Sequence, residues 1–297
     1  MDGGGSKPGI VRLLEQLDDA SVWLRSLGFD LDRTRFGEYA EALRRGAGKA
    51  PSAMPPDEAA LAIEALVPCL EIVQVHQHLA PGVDVVRITE RLGRALAGAA
   101  LEADESFDDG ANDARNMGFE LVVGASLAES GAHIILPDDG DLTAEFDGAT
   151  AAIECKRVRS FRGVRKRVKR AGEQLANRSG LPADALRLVA LDVSLLVRPA
   201  SHMVALPTHE DVQRELKMGT DRILPAITRT CERVAGPGTH GVILFVAAPA
   251  HVQEPNFWAR AEDRSIVMLD GRLTPVTGAT LERLVPVLAG PAGVRRP

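Results

Sequence analysis

At 297 residues, with 45% apolar and 26% charged residues, the chain can bury a substantial core and has room for two domains. The net charge of −6 argues against a generally basic nucleic-acid coat. Cys69, Cys155 and Cys231 are odd in number, far apart and without a CxxC pair, so neither a disulfide framework nor a zinc ribbon is suggested.

The N-terminus lacks the basic and apolar regions of a signal peptide, and no apolar run approaches the roughly 20 residues that span a bilayer. A cytoplasmic location without membrane association is the expectation. Residues 9 to about 100 read as mostly helical. Ile10, Leu13, Leu14 and Leu17 open a 3.6-residue pattern. A second helix is predicted over 36–45. A third starts at Asp57-Glu58 and should end or kink at Pro68. A fourth is predicted over 85–99. His76 and His78 at i, i+2 make a poor metal pair on a helix. This part reads as an all-α accessory domain, 1–105, a place for target choice, oligomerisation or a partner protein.

The acidic stretch 101–110 reads as a solvated linker or helix start. Beyond it the pattern becomes α/β, with a domain over 106–297. A helix is predicted over 112–130, then a short strand over 133–136. A hairpin follows, then a basic helix over about 159–178. A buried strand is predicted over 186–197, a helix over 209–234 and a strand over 241–247. Ser265–Leu269 and Arg272–Val276, around Asp270-Gly271, make a second hairpin candidate. A short helix over 279–287 precedes the C-terminal tail.

The first hairpin, 140–156, carries the chemistry. Asp147-Gly148 is a strong two-residue turn signal, because a type I′ turn needs positive φ at both central residues. With those two residues as the loop, Phe146 faces Ala149 and Asp141 falls opposite Glu154. Opposed residues on one face have Cβ atoms roughly 4.5–5.5 Å apart. Lys156 shares the face of Glu154. Leu142, Ala144, Phe146, Ala151, Ile153 and Cys155 form the other, apolar face. Cys155 then reads as a small buried hydrophobe. Two carboxylates and one ammonium suffice to hold a divalent metal beside a water and a phosphodiester.

From Lys156 to Arg170 the basic residues are Lys156, Arg157, Arg159, Arg162, Arg165, Lys166, Arg167, Lys169 and Arg170, with no acidic residue among them. On a helix, Phe161, Val164, Val168, Ala171 and Leu175 form an apolar stripe that can dock on the sheet. The basic residues cover most of the remainder, where a phosphate backbone would relieve their mutual repulsion.

The order of helix, Asp at a strand start, hairpin turn, Glu-x-Lys and basic helix resembles the PD-(D/E)XK nucleases, also called restriction endonuclease-like, over about residues 112–200. The resemblance implies a mixed sheet flanked by helices and Mg²⁺- or Mn²⁺-dependent hydrolysis of phosphodiesters, DNA more than RNA. It implies Asp141, Glu154 and the backbone carbonyl of Cys155 as metal ligands, and Lys156 as the group that orients or deprotonates the attacking water. Glu120 resembles the acidic residue supplied by the family's first core helix, and Gln174 a polar helix residue near the site. Arg157, Arg159, Arg162, Arg165, Lys166, Lys169 and Arg170 would face nucleic acid. The literal Pro-Asp pair is Pro137-Asp138, so Asp138 and Asp139 stand beside Asp141 as contenders. A nuclease fold that binds nucleic acid or protein without cleaving, and a structural protein whose basic helix docks on an acidic partner, are the alternative readings.

Overall fold

A computed structural model of the chain describes residues 9–47, 49, 53–97, 113–198, 203–236, 238–253, 257–269 and 271–289. Four helices come first: α1 (Gly9–Ser26), α2 (Arg35–Gly46), α3 (Pro56–Gln74) and α4 (Val85–Ala95). Then come α5 (Asp113–Glu129), β1 (His133–Ile135), β2 (Leu142–Phe146), β3 (Ala149–Arg157), α6 (Phe161–Asn177) and β4 (Leu186–Asp192). The last third holds α7 (Ser194–Val197), β5 (Val204–Leu206), α8 (His209–Val234), β6 (Gly241–Val252), β7 (Phe257–Met268) and α9 (Pro275–Ala289).

The seven strands make one mixed sheet in the order β1-β2-β3-β4-β6-β5, with β7 also paired to β6. β1, β2 and β3 form an antiparallel meander. β3, β4 and β6 run parallel, so a helix must return the chain between β3 and β4, and α6 does so. Both faces are covered. Leu142, Ala144, Ala151, Ile153 and Cys155 join an apolar cluster with α1–α5 and α9. Ala152, Val189, Leu191, Val242 and Leu244 point the other way and pack with α6 and α8. The first cluster runs without a break from Leu13 in α1 to Leu288 in α9. The domain boundary read near residue 105 lies outside the described residues.

Three expectations are corrected. Pro68 does not end its helix; α3 continues to Gln74 and passes into a π-helical turn, Val75–Leu79, held by buried Cys69, Ile72, Val73 and Leu79. The second hairpin candidate does not form: residues 265–268 belong to β7, which pairs antiparallel with β6 over its whole length, α9 begins at Pro275, and Asp270 itself lies outside the described residues. Residues 56–82 are long and apolar enough to cross a bilayer, contrary to the sequence reading. Half of their apolar window is buried within the protein.

Candidate active site

The hairpin turn fixes the site. Asp147 and Gly148 both have positive φ, 49° and 69°. The pairs run from Phe146 opposite Ala149 to Leu142 opposite Ile153. The next step of that register sets Asp141 beside Glu154. Asp141 Oδ2 accepts a 2.6 Å hydrogen bond from the Cys155 backbone N–H. Lys156 Nζ donates to Asp141 Oδ2 at 3.1 Å and to Glu154 Oε2 at 3.0 Å. One ammonium is thus shared by two carboxylates. Asp138 instead pairs with Arg87, and Asp139 accepts from the Ser179 hydroxyl, so of the three contenders the structure brings Asp141 to Glu154 and Lys156.

The electrostatics follow from burial. Glu154 is wholly buried, and loss of solvent raises its carboxyl, with Asp141 adding to the effect against the opposing pull of Lys156. Burial disfavours the charged form of Lys156, but Asp141 and Glu154 outweigh it and hold the ammonium above its ordinary value. Burial, then Asp141, pushes the Cys155 thiol well up, which makes it a neutral neighbour. Glu154 therefore does not lie on an open face of the hairpin as its alternation implied; helix α6 and the loop before β2 cover it. Gly140, at φ +138°, makes this cover possible, because a Cβ there would lie 3.1 Å from Glu154 Oε1 and from the Arg178 guanidinium.

Asp141 and Lys156 open into a cleft of about 740 Å³. Glu120 of α5, Gln174 of α6 and Cys155 also line it, so the residues predicted for chemistry converge here, with Glu154 set behind Lys156. Glu120 is buried and ion-paired with Arg91. One wall is the edge of α6 with Arg167, Arg170 and Gln174; the other is α4 with Arg87, Arg91 and Arg94. Arg162, Arg165, Lys166 and Lys169 lie exposed on α6, and Arg159 is half-buried at the loop before it. Arg157 turns away: its Nε donates to Asp192 Oδ2 at 2.9 Å, in a separate cavity of about 120 Å³ shared with Glu71, Arg260 and Glu262.

The sequence reading missed the α4 arginines. Arg91 donates to the Pro137 carbonyl at 2.7 Å and so clamps the loop that leads into Asp141. Their spacing of four and three residues puts them on one helix face, which was a readable signal. It also missed Arg178, buried after α6, which donates to the Leu142 carbonyl and the Thr143 hydroxyl at the start of β2. Phe161 was expected on the buried stripe of α6 but is 52% exposed, because the helix begins beyond the apolar cluster that covers Val164 and Val168.

Among the described residues no group of three or more His, Cys, Asp or Glu side chains is arranged to hold a metal. Oxygen donors are present in Asp141 and Glu154, and the hydrogen bonds to the Asp141 carboxylate fall on Oδ2 alone. Comparison of the chain with protein-family models, curated proteins and solved structures gives no match.

Proposed function

We propose that this protein is a metal-dependent nuclease of restriction endonuclease-like architecture, acting on DNA ahead of RNA. The observation that carries the reading is the Asp141–Lys156–Glu154 cluster opening onto a cleft with arginines on both walls. A hydrolase acting on a polyanion needs hard oxygen donors beside cations, and this arrangement supplies both.

Asp141, Glu154 and the Cys155 backbone carbonyl are hard oxygen donors suited to Mg²⁺ or Mn²⁺. Mg²⁺ commonly takes one or two carboxylates, keeps several waters and shares substrate phosphates, so a third acidic side chain is not required. Bound there, the ion would lower the pKa of a water and act as a Lewis acid. The remaining work falls to the chain itself. Lys156, held protonated by its two carboxylates, stands where it can donate to a phosphoryl oxygen as negative charge develops on it. Arg167, Arg170 and Gln174 would hold the flanking backbone from the α6 side. Arg91 keeps Glu120 and the 137–140 loop in place and thereby positions Asp141.

The test is incubation of wild type, Asp141→Asn and Lys156→Met with plasmid, single-stranded DNA and RNA in Mg²⁺, Mn²⁺ or EDTA. Products that need metal and vanish in both variants support the reading. No product with either metal, or equal activity in all three proteins, overturns it. The burial of Glu154 behind Lys156 favours a second reading, a nuclease-like fold that binds nucleic acid without cutting. It predicts salt-dependent binding with no metal-dependent product.

A further inference from the structure

We propose that the cleft between α4 and α6 takes a single strand of nucleic acid, gripped at its phosphates from both walls, with one unpaired base stacked on Phe161. The proposal rests on the nucleic-acid reading of the site and names the form of the substrate.

Two observations carry it. The first is the two-sided placement of charge. Arg94 of α4 lines the cleft on one side and Arg167 and Arg170 of α6 on the other, with Asp141, Lys156 and Arg91, the last held by Glu120 and the Pro137 carbonyl, between them. A volume of about 740 Å³ is that of a pocket enclosing one small molecule, so it has room for a short stretch of one strand. A duplex is a stiff rod with phosphates on its outside, too bulky for its cross-section to be contained in a pocket of this volume. A flexible strand can thread the gap and bring a phosphodiester to Lys156.

The second is Phe161. In a chain with only 4% aromatic residues, it is the one exposed large aromatic among the described residues. It stands at the start of the most basic helix, next to Arg162 and one turn from Arg165. Its ring is absent from the apolar cluster under α6. An exposed ring set among cations is a stacking platform, and an unpaired base presents the π-face it needs. Phe161 lies about 9 Å along the helix axis from Arg167. That axial distance is within reach of a few nucleotides of an unstacked strand, whose phosphates lie farther apart than the about 3.4 Å per strand of a duplex. Six residues also turn the helix by about 240°, so a strand that touches both runs from the cleft around the helix to its first turn.

The experiment is fluorescence anisotropy in EDTA, where binding is read apart from cleavage. The probes are a labelled oligothymidylate of about 16 nucleotides and a blunt duplex of equal length. The strand is expected to bind about tenfold or more tightly than the duplex. Phe161→Ala should weaken strand binding about tenfold and leave duplex binding unchanged, and Phe161→Trp should restore it. Arg94→Ala should weaken binding to any strand and reduce the slope of log affinity against log salt by about one. Equal affinity for strand and duplex, no binding of the strand, or full strand affinity in Phe161→Ala overturns the proposal. Strand binding without metal-dependent cleavage would overturn the hydrolase reading and keep this one. Metal-dependent cleavage of duplex, unaffected by Phe161→Ala and Arg94→Ala, would do the reverse.

Discussion

Asp141 and Cys155 are tied by a 2.6 Å hydrogen bond from the Cys155 backbone N–H to the Asp141 carboxylate. The bond pins the residue just before β2 to the opposite strand, and it needs an oxygen acceptor rather than a charge. An asparagine carbonyl accepts the same bond. Asp141→Asn is expected to keep the thermal midpoint within about 4 °C of wild type. Metal-dependent cleavage should fall about 100-fold or more. Scanning calorimetry and plasmid nicking separate the two effects. Undiminished cleavage would remove Asp141 from the chemistry.

Lys156 sets the state of the interior. Lys156→Met leaves Glu154 buried without its ammonium, and breaking one side of such a pair costs about 3 kcal/mol. Adding Glu154→Gln removes the stranded carboxylate and should recover much of the loss in urea unfolding. The alkaline behaviour follows from the raised ammonium. Its contribution is fully present below the ordinary lysine value of about 10.4 and is lost as pH rises through the higher folded value. Wild type should lose stability in that alkaline range. Lys156→Met should lack that component.

Arg91 and Glu120 form the ion pair that joins α4 to α5. Arg91 also holds the Pro137 carbonyl. A double-mutant cycle with Arg91→Met and Glu120→Gln is expected to give a coupling energy of about 2 kcal/mol in denaturant unfolding. Arg91→Met should also reduce cleavage, since it releases the loop before Asp141. Additive effects within about 0.5 kcal/mol would show that the pair is not a joint.

The hairpin was legible because its information is local. Asp147-Gly148 sets two positive φ values, a two-residue loop sets the register, and the register carries Asp141 to Glu154. The stripe of α6 was legible at Val164, Val168, Ala171 and Leu175 for the same reason. It failed at Phe161 because periodicity says which way a side chain points and not where the surface beneath it stops. Alternation put Glu154 and Lys156 on one face but could not say that a second layer covers it. The shared helix face of Arg87, Arg91 and Arg94 could be read from their spacing, but the partners of Arg91 could not, because they lie far along the chain at Glu120 and Pro137. The β6–β7 pairing was hidden because β6 is a nearly continuous buried run while β7 carries Arg260, Glu262, Asp263 and Arg264 in a stretch that does not read as a strand.

His240 provides an acid-side test remote from the cleft. Its Nδ1 accepts a 3.0 Å hydrogen bond from the Arg187 backbone N–H, which requires an unprotonated nitrogen. Burial lowers the imidazole, and Arg187 and Arg272 push it the same way. The fold therefore keeps His240 neutral while the unfolded chain takes up a proton near about pH 6.5. Its contribution is present above that value and is lost as pH falls toward the lower folded value. Urea midpoints should decline between about pH 7 and pH 5. His240→Gln, whose amide oxygen can accept the same bond, should flatten that decline.

The apolar cluster that runs from Leu13 to Leu288 has a consequence for synthesis on the ribosome. Chains usually fold domain by domain from the N-terminus as they emerge. Here Leu66, Cys69, Ile72 and Val73 find partners in α5 and in β6, and the cluster closes only when Leu284, Val287 and Leu288 of α9 arrive. The segment 56–82, greasy enough to pass for a membrane span, therefore finds α1 and α2 early but its partners in α5 and β6 only late. Until those later partners are made, the face of α3 that they cover is apolar surface open to a chaperone.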